Sequence, residues 1–151
     1  MIRVLVIEDG TEYTDTMHRF VAPKGFEFVR AGSGVEALAA VQRSAFDVLF
    51  LDMRFDRVPD HELIGDLTAA TERCNGDPVA GLRFLQDHQG TYILAAIREA
   101  GSTLPVLMSY DFDNEGRRLA RLVERYGPLE ACRDVASPDE VANQLRRLAR
   151  S

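Results

Sequence analysis

Residues 47–52 read DVLFLD, a run of four apolar residues between two aspartates. A continuous apolar run of this length is typical of a strand that is buried on both faces of a sheet. The run therefore predicts a strand over Asp47–Leu51, with Asp52 at its carboxyl end. A carboxylate in that position is costly to bury, so it calls for a chemical explanation.

Strand-like and helix-like segments alternate along the rest of the chain. The predicted further strands are Ile2–Ile7, Phe26–Ala31, Pro105–Met108 and Leu129–Val135. The predicted helices include Thr11–Val21, Tyr92–Ala100 and Asn114–Tyr126, and a last helix runs from a Ser137 cap to Arg150. A further helix is predicted to start at Ser33 or Gly34, with an apolar face formed by Val35, Leu38, Ala39 and Val41. Such alternation predicts a parallel sheet covered by helices on both faces, a three-layer α/β fold.

Length and composition narrow the class of protein. The 151 residues, 46% of them hydrophobic, fit one compact domain over 1–151. We find no apolar run of membrane-spanning length and no signal peptide, so a soluble, cytoplasmic protein is expected. The net charge of −6 argues against nonspecific nucleic-acid binding. Cys74 and Cys132 are too far apart for a compact metal motif and are expected to be reduced thiols.

Polar residues follow three of the predicted strands. Glu8 and Asp9 follow the first, Asp52 ends the third, and Ser109 follows the fourth. In open α/β sheets, ligands bind outside the carboxyl ends of the strands. If the first and third strands are neighbours, three carboxylates converge there, and a hard cation such as Mg²⁺ removes their mutual repulsion.

A carboxylate beside such a cation can act as a nucleophile toward phosphorus. Phosphoryl transfer requires mostly positioning and charge neutralisation. Asp52 would attack the phosphorus atom, and Ser109 would donate a hydrogen bond to a phosphoryl oxygen. An unrelated metal-dependent phosphohydrolase fits less well, because such enzymes typically carry a second Asp two residues on, where this chain has Arg54.

With these residues in place, the sequence resembles a CheY-like response-regulator receiver domain. The resemblance rests on VLVIED, GSGVEALAAVQRSAFDVLFLDM, LPVLMS and the final SPDEVANQLRRLAR. It implies a flavodoxin-like (βα)5 sandwich with strand order 2-1-3-4-5. It also implies that Asp52 is the phosphoacceptor and Ser109 the switch hydroxyl, and that Glu8, Asp9, Asp52 and the backbone carbonyl of Arg54 bind Mg²⁺.

The chain departs from the receiver pattern at the fifth strand. The phosphate-contacting lysine of the family has no counterpart, since Lys24 is the only lysine. Either Arg133 or Asp134 matches its position. Arg133 could supply the positive charge of that lysine, whereas Asp134 would oppose phosphorylation. We favour Arg133 as the substitute for the lysine. No aromatic residue occurs from Leu129 through Val135, so the switch aromatic of the family is also absent.

A second departure lies after the phosphoacceptor strand. The chain between Asp52 and Ser109 is about twice as long as one helix with two short loops requires. The excess is assigned to residues 54–89, predicted to form a helical hairpin that leans over the acidic corner or forms an interface. Its helices are predicted at Pro59–Cys74, with Leu63, Ile64, Leu67 and Ala70 on one face, and at Val79–His88, on either side of a turn.

Several residues allow two interpretations. His18, His61 and His88 are more simply packed or solvated than metal-binding, and Asp56 and Asp60 more simply solvated than additional metal ligands. Tyr110 could narrow access to Asp52 or only pack at the rim. The arginine-rich helix 114–126 could be a solvated face or a partner surface.

The expected function is that of a stand-alone receiver in a phosphorelay, a signalling domain and not an enzyme. Its expected partners are a histidine kinase or phosphotransfer protein as donor and a downstream protein as output, without nucleic acid or membrane; a homodimer is left open. The alternative is a pseudo-receiver adaptor that binds partners without phosphorylation.

Overall fold

The computed structural model describes residues 1–150, in which five strands form a single sheet. The strands are β1 (Ile2–Ile7), β2 (Phe26–Ala31), β3 (Val48–Asp52), β4 (Val106–Ser109) and β5 (Leu129–Cys132). All neighbours pair in parallel, in the order β2-β1-β3-β4-β5. The predicted α/β fold class and strand order are confirmed.

Seven α-helices connect and follow the strands. They are α1 (Glu12–Phe20), α2 (Gly34–Arg43), α3 (Leu67–Arg73), α4 (Pro78–Asp87), α5 (Gln89–Glu99), α6 (Gly116–Tyr126) and α7 (Pro138–Ala149). Two short 3-10 turns lie at Ala22–Lys24 and Asp60–Glu62. Within residues 1–150, none of the helices has the length and apolar character needed to span a membrane.

The helices cover both faces of the sheet. On one face Val4, Val6 and Phe50 pack with residues of α1 and α7. On the other face, Leu5 and Leu49 pack with residues of α2, α5 and α6. Alternate strand residues therefore enter opposite layers, which explains why the strands read as continuous apolar runs.

Some predicted boundaries and faces need correction. β3 includes Asp52, so the carboxylate belongs to the strand itself, and β5 ends at Cys132 and not at Val135. In α2 the buried residues are Gly34 and Ala37, whereas Val35 is 52% exposed. Of the predicted apolar face, Leu38 and Val41 pack against the core and Val35 does not.

The helix predicted from Pro59 is the largest error of local structure. Residues 60–62 form only a 3-10 turn, and Gly65 has φ +116°, a conformation that interrupts a helix. The first helix of this segment begins later, at Leu67, where the Asp66 carboxylate accepts hydrogen bonds from two amide groups of the first turn. Asp66 was the capping signal that fixes this start.

Residues 54–89 nevertheless contain two α-helices. α3 and α4 are joined by a short turn and pack closely, because a side chain at Gly81 would meet the backbone of Thr71 at 2.7 Å. α4 is capped by Asp77, whose side chain accepts hydrogen bonds from Val79 and Ala80. The pair is defined here as the 67–87 hairpin.

The segment leaves and rejoins the core beside the end of β3. The Phe55 amide donates to Gln86 O at 2.9 Å, and the Gly90 amide donates to Met53 O at 2.8 Å. A side chain at Gly90 would lie 2.4 Å from the carbonyl oxygen of Asp52, so only glycine allows α5 to approach this closely. The end of α4 is therefore held next to Asp52.

Candidate functional site at the carboxyl ends of the strands

Two neighbouring cavities open at the carboxyl ends of the central strands, and Asp52 lines both. The larger has a volume of about 550 Å³ and is lined by Tyr13, Asp52, Met53, Arg54, Asp87, His88, Ser109, Tyr110, Asp111, Arg118 and Asp134. The smaller, of about 350 Å³, is lined by Glu8, Asp9, Glu12, Tyr13, Asp52, Arg54, Asp56 and Arg57. We call them the β3–β4 cavity and the acidic cavity.

Asp52 and Ser109 are brought together by strand register. β3 pairs with β4 so that Asp52 lies directly beside Ser109, and both line the β3–β4 cavity. The backbone amide of Met53 donates to Asp52 Oδ1 at 2.8 Å. Burial raises the pKa of Asp52 to about 6, and the negative charges of Asp9 and Glu8 add to this rise. The Asp52 carboxylate is therefore partly buried, its ionised form is disfavoured by burial and by the neighbouring acids, and it lines an open cavity.

Glu8 is the most buried acid of the site, at 1% exposure. Its carboxylate accepts hydrogen bonds from the amide of Tyr13 at 3.1 Å and from the amide and hydroxyl of Thr14, both at 2.7 Å. Thr11, at the cap position of α1, makes no side-chain cap hydrogen bond. Glu8 therefore serves as the N-terminal cap of α1.

Asp9 and the arginines of the following segment form separate contacts. Asp9 Oδ2 accepts the backbone amide of Arg57 at 2.8 Å, and the Arg57 guanidinium pairs with Glu12 at 2.9 Å. The Arg54 guanidinium pairs with two other acids, Asp56 and Asp87, at 3.3 Å each. Each acid thus has its own partner, and within residues 1–150 no three His, Cys, Asp or Glu side chains are grouped closely enough to hold a metal ion.

The donor set of the acidic cavity still fits a hard cation in part. Asp9 and Asp52 line the same cavity, and the charge of Asp9 raises the pKa of Asp52. A divalent ion would relieve this repulsion, and carboxylate and carbonyl oxygens are the ligands that Mg²⁺ prefers. Asp9 and Asp52 are the carboxylates of this cavity that suit such an ion, whereas Glu8 already caps α1.

The end of β5 places an acid at the cavity in place of a base. Arg133 is exposed and its guanidinium pairs with Asp113, and it does not line the β3–β4 cavity. Asp134 does line that cavity. This arrangement does not support Arg133 as the substitute for the family lysine, which we favoured from the sequence.

Two arginines line the β3–β4 cavity: Arg54, which pairs with Asp56 and Asp87, and Arg118, which the sequence did not single out. Arg118, on α6, donates to the Tyr110 hydroxyl at 3.3 Å and pairs with Glu115 at 3.2 Å. Its guanidinium carbon lies 5.2 Å from the centroid of the Tyr110 ring. The Tyr110 hydroxyl in turn donates to Glu115. These contacts fix Arg118 at the rim, on a helix that the sequence suggested was either solvated or partner-binding.

Tyr13 is the second residue that the sequence did not identify. The Ser109 hydroxyl donates to the Tyr13 hydroxyl at 2.9 Å, a contact between α1 and β4 that no local pattern encodes. Burial raises the pKa of Tyr13, and the nearby charges of Asp52 and Asp134 act in the same direction, although the Ser109 hydrogen bond opposes them. The phenol therefore remains protonated near neutral pH.

The histidines are distributed as packed or solvated groups. His88 lines the β3–β4 cavity, but its ring stacks on Phe84 and its Nδ1 lies 2.9 Å from Phe84 O. The His18 ring nitrogen contacts Phe28 O, and His61 is exposed. Of the two loop acids, Asp56 lines the acidic cavity and Asp60 does not.

Comparison with known proteins agrees with this geometry. No family model matches the chain. A response regulator receiver protein of Anaeromyxobacter sp. (strain Fw109-5) is 29% identical over 101 residues, which is 67% of this chain and 40% of that protein. The chain thus matches well under half the length of this relative, so what the whole relative does is not transferred.

Solved structures share the fold over nearly the whole chain. A receiver domain of the Francisella response regulator 1452 is 16% identical, with a TM-score of 0.68 over 99% of this chain and 98% of that one. The receiver domain of NtrX from Brucella abortus is 17% identical, with a TM-score of 0.65 over 98% of both chains. A CheY-like receiver domain from Methanospirillum hungatei is 14% identical, with a TM-score of 0.66 over 99% of this chain and 94% of that one.

The chain has the fold of a response-regulator receiver domain. The resemblance found in the sequence is confirmed by these neighbours and by the strand order. Receivers with this fold are signalling domains. At these identities the structural likeness establishes the architecture, and the chemistry of the chain follows from its own residues.

Proposed function

We propose that this receiver accepts a phosphoryl group on Asp52 and signals through protein contacts. The observation that carries the proposal is the register of β3 and β4, which places the Asp52 carboxylate beside Ser109 on one open cavity. The cavity, of about 550 Å³, has room for a phosphoryl group. A partner phosphohistidine protein, a histidine kinase or a phosphotransfer protein, is the proposed donor.

The chemical step is a displacement at phosphorus. An oxygen of the Asp52 carboxylate forms the new bond to phosphorus, the bond from phosphorus to the donor imidazole nitrogen breaks, and that nitrogen keeps the electron pair. Only the ionised carboxylate has the required lone-pair reactivity. Because the pKa of Asp52 is raised to about 6, the reactive fraction increases as the pH rises through 6.

Charge neutralisation must come from the residues around Asp52 and from a cation. Mg²⁺ bound by Asp9, Asp52 and the Arg54 carbonyl would lower the repulsion between the carboxylates and the incoming phosphoryl oxygens. Arg118 supplies the protein's own positive charge at the rim of the same cavity. Its fixed, planar guanidinium suits phosphoryl oxygens and takes the part that we first assigned to Arg133.

Intact-mass measurement tests the proposal directly. The protein, after incubation with acetyl phosphate and Mg²⁺, is expected to gain the mass of one phosphoryl group. Asp52→Asn should show no gain, whereas the matched control Asp60→Asn, at an exposed position, should gain as the parent does. The same measurement with a phosphohistidine donor follows a negative result, because Tyr110 and His88 line the cavity that a small donor would have to enter.

A second candidate function is favoured by one observation. Asp134, an acid, lines the cavity where receivers carry a cation, and this opposes accumulation of phosphoryl charge. A pseudo-receiver adaptor that binds partners without a covalent switch would have no need of that cation. Absence of mass gain from both donors, or an equal gain in Asp52→Asn, would exclude the phosphoacceptor proposal and leave the adaptor.

A further inference from the structure

The Ser109 hydroxyl is engaged by a residue from another element. It is 3% exposed and donates to the Tyr13 hydroxyl at 2.9 Å. A hydroxyl has one proton, so Ser109 cannot donate to Tyr13 and to a phosphoryl oxygen at the same time. Phosphorylation of Asp52 therefore has to change the contact between Ser109 and Tyr13.

Tyr13 is held at this point by contacts on three sides. Its backbone amide donates to Glu8, its ring centroid lies 5.2 Å from that of Phe50, and its hydroxyl accepts from Ser109. It lines the β3–β4 cavity together with Asp52. It also lines a separate, mainly apolar cavity of about 190 Å³ between α1, β5 and α7. Tyr13, in the first turn of α1, thus lines both the cavity that holds Asp52 and the apolar cavity.

We propose that Tyr13 is a positioning residue, which holds the Ser109 hydroxyl toward α1 until Asp52 is phosphorylated. This inference rests on the proposed function. After phosphorylation, Ser109 donates to a phosphoryl oxygen and the protonated Tyr13 hydroxyl becomes the donor to Ser109 Oγ. The reversal passes the state of Asp52 to the Tyr13 side chain on α1.

The sequence of β5 is consistent with this route. Leu129–Cys132 contains no aromatic residue, and Ser109 is in register with Cys132 on that strand. A side chain from α1 therefore provides the aromatic hydroxyl beside Ser109. The first turn of α1, which carries Tyr13, is also the one capped by Glu8, so the backbone of Tyr13 is held in place.

Nuclear magnetic resonance of ¹³Cζ-labelled tyrosine, read beside the intact mass of the same sample, tests the inference. On phosphorylation, the Tyr13 resonance, assigned with Tyr13→Phe, is expected to shift while that of Tyr126 stays in place. In Ser109→Ala, a sample that still gains mass should show no such shift. A full mass gain with an unmoved Tyr13 resonance in the parent protein would overturn the inference and leave the proposed function intact.

Kinetics supply a second measurement. Tyr13→Phe frees the Ser109 proton, so the initial rate of phosphorylation is expected to rise about fivefold, the effect of one ordinary hydrogen bond. The double variant Tyr13→Phe with Ser109→Ala should be phosphorylated at the same initial rate as Ser109→Ala alone. The rate of Tyr126→Phe should match that of the parent. Equal effects of Tyr13→Phe in the presence and absence of Ser109 would contradict the inference. No mass gain from either donor would instead overturn the proposed function, and with it this role.

Discussion

The two sides of the Asp52 carboxylate differ in how far they keep the receiver pattern. On the β1 side, Glu8 and Asp9 retain the expected acids, although Glu8 caps α1 and Asp9 contacts the Arg57 amide. On the β5 side the expected cation is absent, and Asp134 lines the cavity. The acids of the β1 side therefore also take part in contacts that hold the fold, whereas the β5 side presents a negative charge to the cavity.

The largest expected effect is a loss of stability on the β1 side of Asp52. Glu8→Ala removes the acceptor of three hydrogen bonds and leaves the first turn of α1 uncapped, so the free energy of unfolding should fall by about 3 kcal/mol. Urea denaturation measures the change. Glu12→Ala, which removes an exposed acid of the same turn, should leave the free energy of unfolding close to that of the parent. Equal losses in the two variants would show that Glu8 is not the cap.

Asp52 itself should be a source of instability. Its pKa is raised above the ordinary 3.8 to about 6, so the folded state binds the proton more tightly than the unfolded state. Stability is then present at acid pH and is lost as the pH rises from about 4 to 6. At pH 7, Asp52→Asn should be more stable than the parent by about 2 kcal/mol.

This gain should disappear below pH 4, and Asp60→Asn should show no comparable change. Denaturation at a series of pH values, without divalent ions, makes the measurement. A constant difference between parent and Asp52→Asn across this range would show that burial does not disfavour the ionised carboxylate.

The β5 side can be tested by restoring the cation. Asp134→Lys replaces a negative charge on the cavity wall by a positive one, so the rate of phosphorylation from acetyl phosphate should increase about tenfold. Arg133→Lys alters the neighbouring exposed residue and should leave the rate unchanged. If Arg133→Lys has the larger effect, Arg133 and not residue 134 faces the phosphoryl site.

A smaller effect is expected at Arg118. Arg118→Gln should slow phosphorylation about fivefold, because the guanidinium at the rim is lost while the fold keeps its other contacts. Arg118→Lys should recover part of the rate, and Arg117→Gln, on the exposed side of the same helix, should be neutral. In the Asp134→Lys background, Arg118→Gln should no longer slow phosphorylation, because the new lysine supplies the positive charge.

The sequence predicted the parts of the molecule that local pattern controls. Apolar runs located all five strands, the Ser137 cap of α7 is confirmed, and α2 begins at Gly34, one of the two predicted starts. The helix expected from Pro59 was wrong because the left-handed Gly65 prevents it. The carboxylates were placed at the correct strand ends, since parallel strands end at the same edge.

The orientations and the cross-fold partners could not be predicted. Tyr13 reaches Ser109 from a helix, and Arg118 reaches the cavity from another, so neither is linked to Asp52 by spacing. The choice between Arg133 and Asp134 depended on one residue of register after β5. The end of β5 gave the approximate position of Arg133 and Asp134. Only the side-chain contacts showed that Asp134 lines the β3–β4 cavity and that Arg133 pairs with Asp113.

The hydrogen bond from the Gly90 amide to Met53 O, at 2.8 Å, has an architectural consequence. The backbone departs from the end of β3 and comes back to it at Gly90, so the segment between is a loop closed at its base. Its first residues, including Phe55 and Val58, belong to the core, and the 67–87 hairpin is the part that extends from it. Because the entropy of closing a loop changes slowly with its length, a change in the length of the hairpin should leave the spacing of the strands beside Asp52 unaltered.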